Sequence, residues 1–108
     1  MRADNGSWNG KQVIPAGWVA ESTAPDPEDT RPWQVYQYWK EQGGYYKYMW
    51  WGKVRGAGLR QDEFFARGQY GQYIGVSPQK RAVIVRFGTD TGEMDWAAII
   101  EGLFDKLP

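Results

Sequence analysis

The sequence predicts an α+β fold, a three-stranded antiparallel sheet with a C-terminal helix packed on one face. Three observations carry that expectation. Trp96, Ile99, Ile100, Leu103, Phe104 and Leu107 recur at i, i+3, i+4, i+7, i+8 and i+11, the single stripe of an amphipathic helix. Just before them, Ala82-Val83-Ile84-Val85-Arg86-Phe87 is a β-branched apolar run of strand length. Aromatics make up 17% of the 108 residues, with seven Trp and seven Tyr, which is enough large apolar surface for one core and too short a chain for two. A single domain over 1–108 is expected.

Taken in order, the elements begin with a hairpin-like entry over residues 1–12. Asn5-Gly6 and Asn9-Gly10 each carry the pair that favours tight turns, with Trp8 between them. Pro15 is tolerated in a first helical turn, where its missing N–H costs nothing, and a helix is expected at about 15–22. Ala24 to Pro32 combines three prolines with acidic residues and reads as a surface connector, extending over 24–44. Within it, Trp33, Tyr36 and Trp39 recur every three residues while β-favouring aromatics dominate, and a helical turn is the weakly preferred reading.

After Gly43-Gly44, the run from Tyr45 to Trp51 predicts a first strand at 45–52. A second, at 63–77, contains Gly68, Gly71 and Gly75, which in a strand mark bulges or a surface that something approaches closely. Ser77-Pro78-Gln79-Lys80 turns the chain into a third strand at 81–88. The closing helix is expected at 94–106 with Asp95 as its cap. Trp96, Ile99, Ile100, Leu103 and Phe104 are expected to pack on Val83, Val85, Ile74 and Val76, so that Leu103→Asp would abolish cooperative unfolding.

Composition removes several function classes. Thirteen Lys plus Arg balance thirteen Asp plus Glu, so nothing in the net charge attracts nucleic acid or anionic lipid. There is no Cys and no His, which excludes disulfide scaffolds, thiol nucleophiles and Cys-ligated zinc, and removes the usual general base. No cofactor or metal site is expected. No run approaches the roughly 18 apolar residues of a membrane span, and Met1 to Gly6 contains no apolar stretch like a signal peptide, so a soluble, non-membrane protein is expected.

Two short motifs are read as turns. Ser77-Pro78-Gln79-Lys80 fits S-x-x-K, in which one helical turn brings a Lys amine to a nucleophilic Ser, but a Pro-containing β-turn does not make that approach. Asp90-Thr91-Gly92 fits the D-T-G of aspartic proteases. Glu93 follows where a carboxylate pair needs a small residue, and a strand-to-helix link is the better reading. The aromatic run Tyr45 to Trp51 suits a buried sheet face better than a sugar-stacking platform.

Three segments carry a resemblance. Ala66-Arg67-Gly68-Gln69-Tyr70-Gly71-Gln72-Tyr73-Ile74-Gly75-Val76-Ser77-Pro78 with Arg81 to Gly88 resembles the penultimate hairpin of the serine β-lactamase-like family, which includes class C β-lactamases, DD-peptidases, esterases and 6-aminohexanoate-dimer hydrolases. Trp8 to Val19 is similar to that family's G-x-Q-V-(I/L)-P-x-x-W-(V/I) segment, and Tyr46-Lys47-Tyr48-Met49-Trp50-Trp51 to its Y-x-Y-x-W-W strand. The segments come in the family's order, and Asp95 to Pro108 resembles its closing helix. Only the stretch 28–44 looks like an insert.

The resemblance implies the C-terminal portion of a β-lactamase-like fold, without the segment that bears the nucleophilic Ser, its Lys and the Y-x-N tyrosine. It implies a third-motif strand at Gln69, Tyr70, Gly71 and Gln72, bordering substrate, with the Gln72 N–H as an oxyanion donor. Gln69 stands where relatives carry Lys or His, and an uncharged amide supplies no cation for a substrate carboxylate. Two functions follow as expectations. One is a C-terminal segment of a serine hydrolase, inactive alone, whose partner is the missing N-terminal catalytic segment. The other is a stand-alone, non-catalytic binding or assembly module. For either, a homodimer or larger homo-oligomer burying Trp50 or Trp51, or tight binding to a partner chain, is expected, because a bare sheet edge and aromatic surface tend to be paired.

Overall fold

In the computed structural model, residues 4–24, 41, 44–53, 63–90 and 92–108 are described. The expected connector at 24–44, with its helical turn at Trp33 to Gln42, lies almost wholly outside them. The fold is α+β, with a five-stranded antiparallel sheet rather than three strands. The difference arises because two expected long strands each fold back on themselves.

The N-terminal hairpin pairs β1 (Ser7–Trp8) with β2 (Lys11–Gln12) across Asn9-Gly10. Both turn residues have positive φ, as do Asn5 and Gly6, the left-handed geometry that Asn-Gly pairs adopt at low cost. Helix α1 (Ala16–Ser22) follows with Pro15 at its N-cap, and Trp18 N–H and Val19 N–H donate to the Pro15 carbonyl.

The strand expected at 45–52 is a second hairpin, β3 (Gly44–Lys47) and β4 (Trp50–Lys53), turning at Tyr48-Met49. Neither turn residue is glycine, yet both take positive φ (48° and 73°), which hid this reversal from the sequence. Tyr48 is held from outside. Its ring stacks on Trp18 of α1 at 5.2 Å, and its hydroxyl donates to Glu21 at 2.8 Å.

The strand expected at 63–77 is likewise two, β5 (Phe64–Gly68) and β6 (Gln72–Ser77), joined by a tight turn at Gln69–Gly71. Strand β7 (Ala82–Arg86) pairs with β6 as expected for 81–88, and the sheet order is β3-β4-β5-β6-β7. Helix α2 (Trp96–Lys106) is capped by Asp95, whose carboxylate accepts the Ala98 N–H at 3.1 Å.

Helix α2 covers the opposite sheet face from the expected one. Ile100 and Phe104 are buried against Tyr73, with Phe65, Ala82, Ile84, Trp96 and Ala97 packed around them. Ile74, Val83 and Val85 point away and are exposed, and Leu103 is 47% exposed. The physical reason is relief. A Cβ built on Gly75 would lie 2.5 Å from Ile100 Cγ2, so only at a glycine does the sheet let the helix come this close. Burial pushes the Tyr73 phenol above its ordinary value of 10.0, so it is neutral at pH 7.

On the other face, Tyr45 is buried and its hydroxyl donates to the Thr23 carbonyl at the end of α1, at 2.8 Å. Trp50 meets the buried Phe64 edge-on at 4.9 Å. Asp4, Trp8, Trp50, Phe64, Val76, Arg81 and Val83 border a groove of about 450 Å³ there. Arg81 and Asp4 close one end of it as an exposed ion pair at 3.0 Å.

Candidate functional site

The four residues expected to border substrate occupy one turn. Register pairs Gly68 with Gln72, while the Gln72 N–H donates to the Gln69 carbonyl. Gly68 and Gln69 thus both oppose Gln72, and Gln69 is the extra residue of a β-bulge. Tyr70 (φ 61°) and Gly71 (φ 76°) complete the reversal in left-handed geometry. Gln69 and Tyr70 project into solvent, and Gly71 is buried.

The turn is fixed from behind by a side chain that sequence reasoning did not single out. Arg86 Nη1 donates to the carbonyls of Tyr70 (3.0 Å), Gly71 (2.6 Å) and Asp90 (3.0 Å). Its guanidinium lies over the Trp96 ring at 4.1 Å. One cation thereby joins the β5–β6 turn, the link to α2 and the first residue of α2. The Gln72 side chain adds a second tie, its amide donating to the Gly88 carbonyl and accepting the Gly88 N–H at 3.0 Å. The available signal was parity. Arg86 falls two residues beyond Ile84 and four beyond Ala82, on the inward face of β7, and an inward charge needs partners.

These contacts alter one expected role. The Gln72 N–H already has an acceptor within the turn, so it is not presented to an outside oxyanion. What the turn does present is its exposed residues Gln69 and Tyr70, continuing an open strand edge. β4 pairs with β5 only at Phe64 and Phe65, so Ala66, Arg67 and Gly68 run past its end with no described strand on their outer side.

None of the three serines is set up as a nucleophile. Ser7 Oγ donates to Gln12 Oε1 at 3.0 Å, and Ser22 Oγ to the Val19 carbonyl at 3.3 Å. Ser77 is fully buried, with its Oγ accepting the Lys80 N–H at 3.4 Å. The Lys80 amine reaches the Leu107 carbonyl instead, at 2.8 Å, so the S-x-x-K spacing is a turn and not a catalytic pair. Asp90 and Gly92 lie in the link between β7 and α2, with Thr91 outside the described residues. Among the described residues no group of His, Cys, Asp and Glu could hold a metal ion, and no helix is long and apolar enough to cross a membrane.

No family model, curated protein or solved structure matches the chain.

Proposed function

We propose that this chain is the C-terminal sheet-and-helix part of a serine acyl hydrolase of the β-lactamase-like fold, inactive alone. In this reading the end of β5 and the turn Gln69–Gln72 form the wall along which an ester or amide substrate lies. One observation carries it: Ala66 to Gly68 have no described strand on their outer edge and lead into a turn whose carbonyls Arg86 ties from behind. Such a wall holds its backbone groups in place before substrate arrives, and that preorganisation is what makes hydrogen bonding to an acyl group effective.

The chemistry divides accordingly. Acyl transfer needs a serine oxygen to attack the carbonyl carbon, a base to take its proton and donors for the developing oxyanion. This chain offers the strand edge. The Gln72 N–H is engaged, so a backbone donor comes from the outer edge of Ala66 to Gly68 or from Gln69 and Tyr70. The nucleophile and base belong to a segment outside this chain.

The test has two arms. The chain alone should neither turn over p-nitrophenyl esters nor react with a fluorophosphonate probe. Joined in place of the closing segment of a β-lactamase-like esterase, it should restore turnover, and Gly68→Val with Gln69→Pro should lower kcat/KM by about 100-fold or more. A folded but silent joined protein would overturn the reading. So would stoichiometric labelling of Ser77 in the chain alone that disappears in Lys80→Ala.

A second reading, a non-catalytic assembly module, is favoured by a different observation, the exposed apolar half-face of β6 and β7.

A further inference from the structure

Among the described residues, the end of the sheet opposite β3 is a strand paired on one side only. β7 pairs with β6 along Ala82–Arg86, and no described strand lies on its outer side. Edge strands ordinarily carry a device against pairing with another chain: a charge, a proline, a bulge or a covering element. Ala82-Val83-Ile84-Val85 carries no charge or proline, and its register with Ser77, Val76, Gly75 and Ile74 advances one residue at a time without a bulge. The single charge of the strand, Arg86, turns its guanidinium inward onto the Tyr70, Gly71 and Asp90 carbonyls and over Trp96. The residue type that would guard the edge is used to hold the turn.

The surface beside this edge is apolar. Val83 is 61% exposed and Val85 48%, both on the face away from α2, with the exposed Ile74 next to Val85 across the β6–β7 pair and Phe87, 87% exposed, just beyond the strand. The N-terminal segment meets the start of β7 at the Asp4–Arg81 ion pair, and the groove walled by Trp8 and Trp50 ends at Val83.

We propose that β7 is a self-association edge, pairing antiparallel with β7 of a second copy about a two-fold axis at Ile84 to give a continuous ten-stranded sheet. The occupant follows from the edge. A row of outward backbone donors and acceptors is satisfied by another extended strand, and an antiparallel strand pair is self-complementary. In this register Val83 of each copy stands opposite Val85 of the other on the open face, and Ile84 faces its own copy beneath the two α2 helices. β-Branched pairs in those positions are favourable cross-strand neighbours. Thirteen positive and thirteen negative side chains give no net charge, so no long-range repulsion opposes the approach of two copies. The inference does not depend on the hydrolase reading, and it places the interface away from Trp50 and Trp51, which are half-buried against Phe64 and Phe65.

The experiment is sedimentation equilibrium on the purified chain, with Val83→Lys/Val85→Lys as the interface variant and Met49→Lys, exposed in the β3–β4 turn, as a control elsewhere. The chain and the control should sediment as dimers at about 50 µM, and the double-lysine variant should weaken dimerisation by about 100-fold or more while retaining the parent far-UV spectrum and melting as a folded monomer. The absence of native cysteine allows a register test. Val83→Cys mixed with Val85→Cys should form a mixed disulfide dimer under mild oxidation, and either variant alone should cross-link at least tenfold less. A monomeric parent chain overturns the proposal. So does a dimer that survives both lysines, or one in which the mixed cysteines cross-link no better than either variant alone.

Discussion

Across β6 and β7, the face beneath α2 carries Tyr73, Gly75, Ser77, Ala82 and Ile84, while the opposite face carries Ile74, Val76, Val83 and Val85. The second set is the more uniformly aliphatic, and it is the one left half open. Shape decided the matter. A helix that points Ile100 and Phe104 at a sheet needs a depression, and a glycine flanked by small and planar neighbours supplies one where a row of β-branched side chains would hold the helix off. The aliphatic face is left partly exposed to solvent. Hydrophobicity told which residues leave water, and complementarity told which of them do so within one chain.

The largest test of this contrast removes the centre of the covered face. Phe104 is 2% exposed, and Phe104→Ala should cost about 3–5 kcal/mol, read from urea unfolding. At half-exposed Val85, Val85→Ser should cost the monomer less than about 1 kcal/mol, measured below the dissociation range. Equal losses at the two positions would dissolve the distinction between the faces.

Gly75→Val asks whether relief selects the face. The added side chain would press on Ile100, and a loss of about 2–3 kcal/mol is expected, together with a change in Trp96 fluorescence as α2 shifts. A neutral outcome would mean that the helix has room at Gly75.

Arg86→Met keeps an unbranched stem on the covered face and removes the three carbonyl contacts. A loss of about 1.5–3 kcal/mol should be accompanied by faster amide exchange at Gln69 to Gln72, while the β3–β4 turn is unchanged. Slow exchange retained in the turn would show that the bulge holds itself.

Leu103→Asp sharpens the comparison on the helix side. Leu103 lies on the outer flank of α2, so cooperative unfolding should persist with a loss below about 1 kcal/mol, in contrast to the collapse the helical stripe alone would predict.

The smallest effect belongs to the exposed pair at the mouth of the groove. The Arg81 guanidinium hydrogen-bonded to Asp4 holds that carboxyl below its usual value of 3.8. A carboxylate lowered on folding stabilises the protein above its unfolded value, and the effect is lost as pH falls through the lowered one. Asp4→Asn should therefore flatten a slight acid-side decline in Tm below about pH 4 and leave the neutral Tm almost unchanged.

Elements whose signal is local were legible in the sequence. The two Asn-Gly turns, α1 after Pro15, the β6–β7 pair around Ser77-Pro78 and α2 with its Asp95 cap all stand where their residue types place them. Of the glycines of the expected second strand, Gly68 lies at a bulge and Gly75 is closely approached by α2, the two roles read from the sequence, whereas Gly71 lies in a reversal that a continuous strand at 63–77 did not contain. The candidate site was half legible, since Gln69 to Gln72 form one turn, but Arg86 and Trp96, which fix it, come from elements 14 or more residues away in the chain.

What only the tertiary structure decided are the reversals at Tyr48-Met49 and Gln69–Gly71, and the choice of sheet face. Tyr48 takes a left-handed conformation that its side chain disfavours because Trp18 and Glu21 hold its ring and hydroxyl. The Gln69–Gly71 turn is fixed by an arginine from β7. Which side α2 covers turns on one glycine against one isoleucine 25 residues later. Local patterning records what each residue prefers in a strand or a helix; contacts between distant segments, each worth a few kcal/mol, decide where those preferences are overridden.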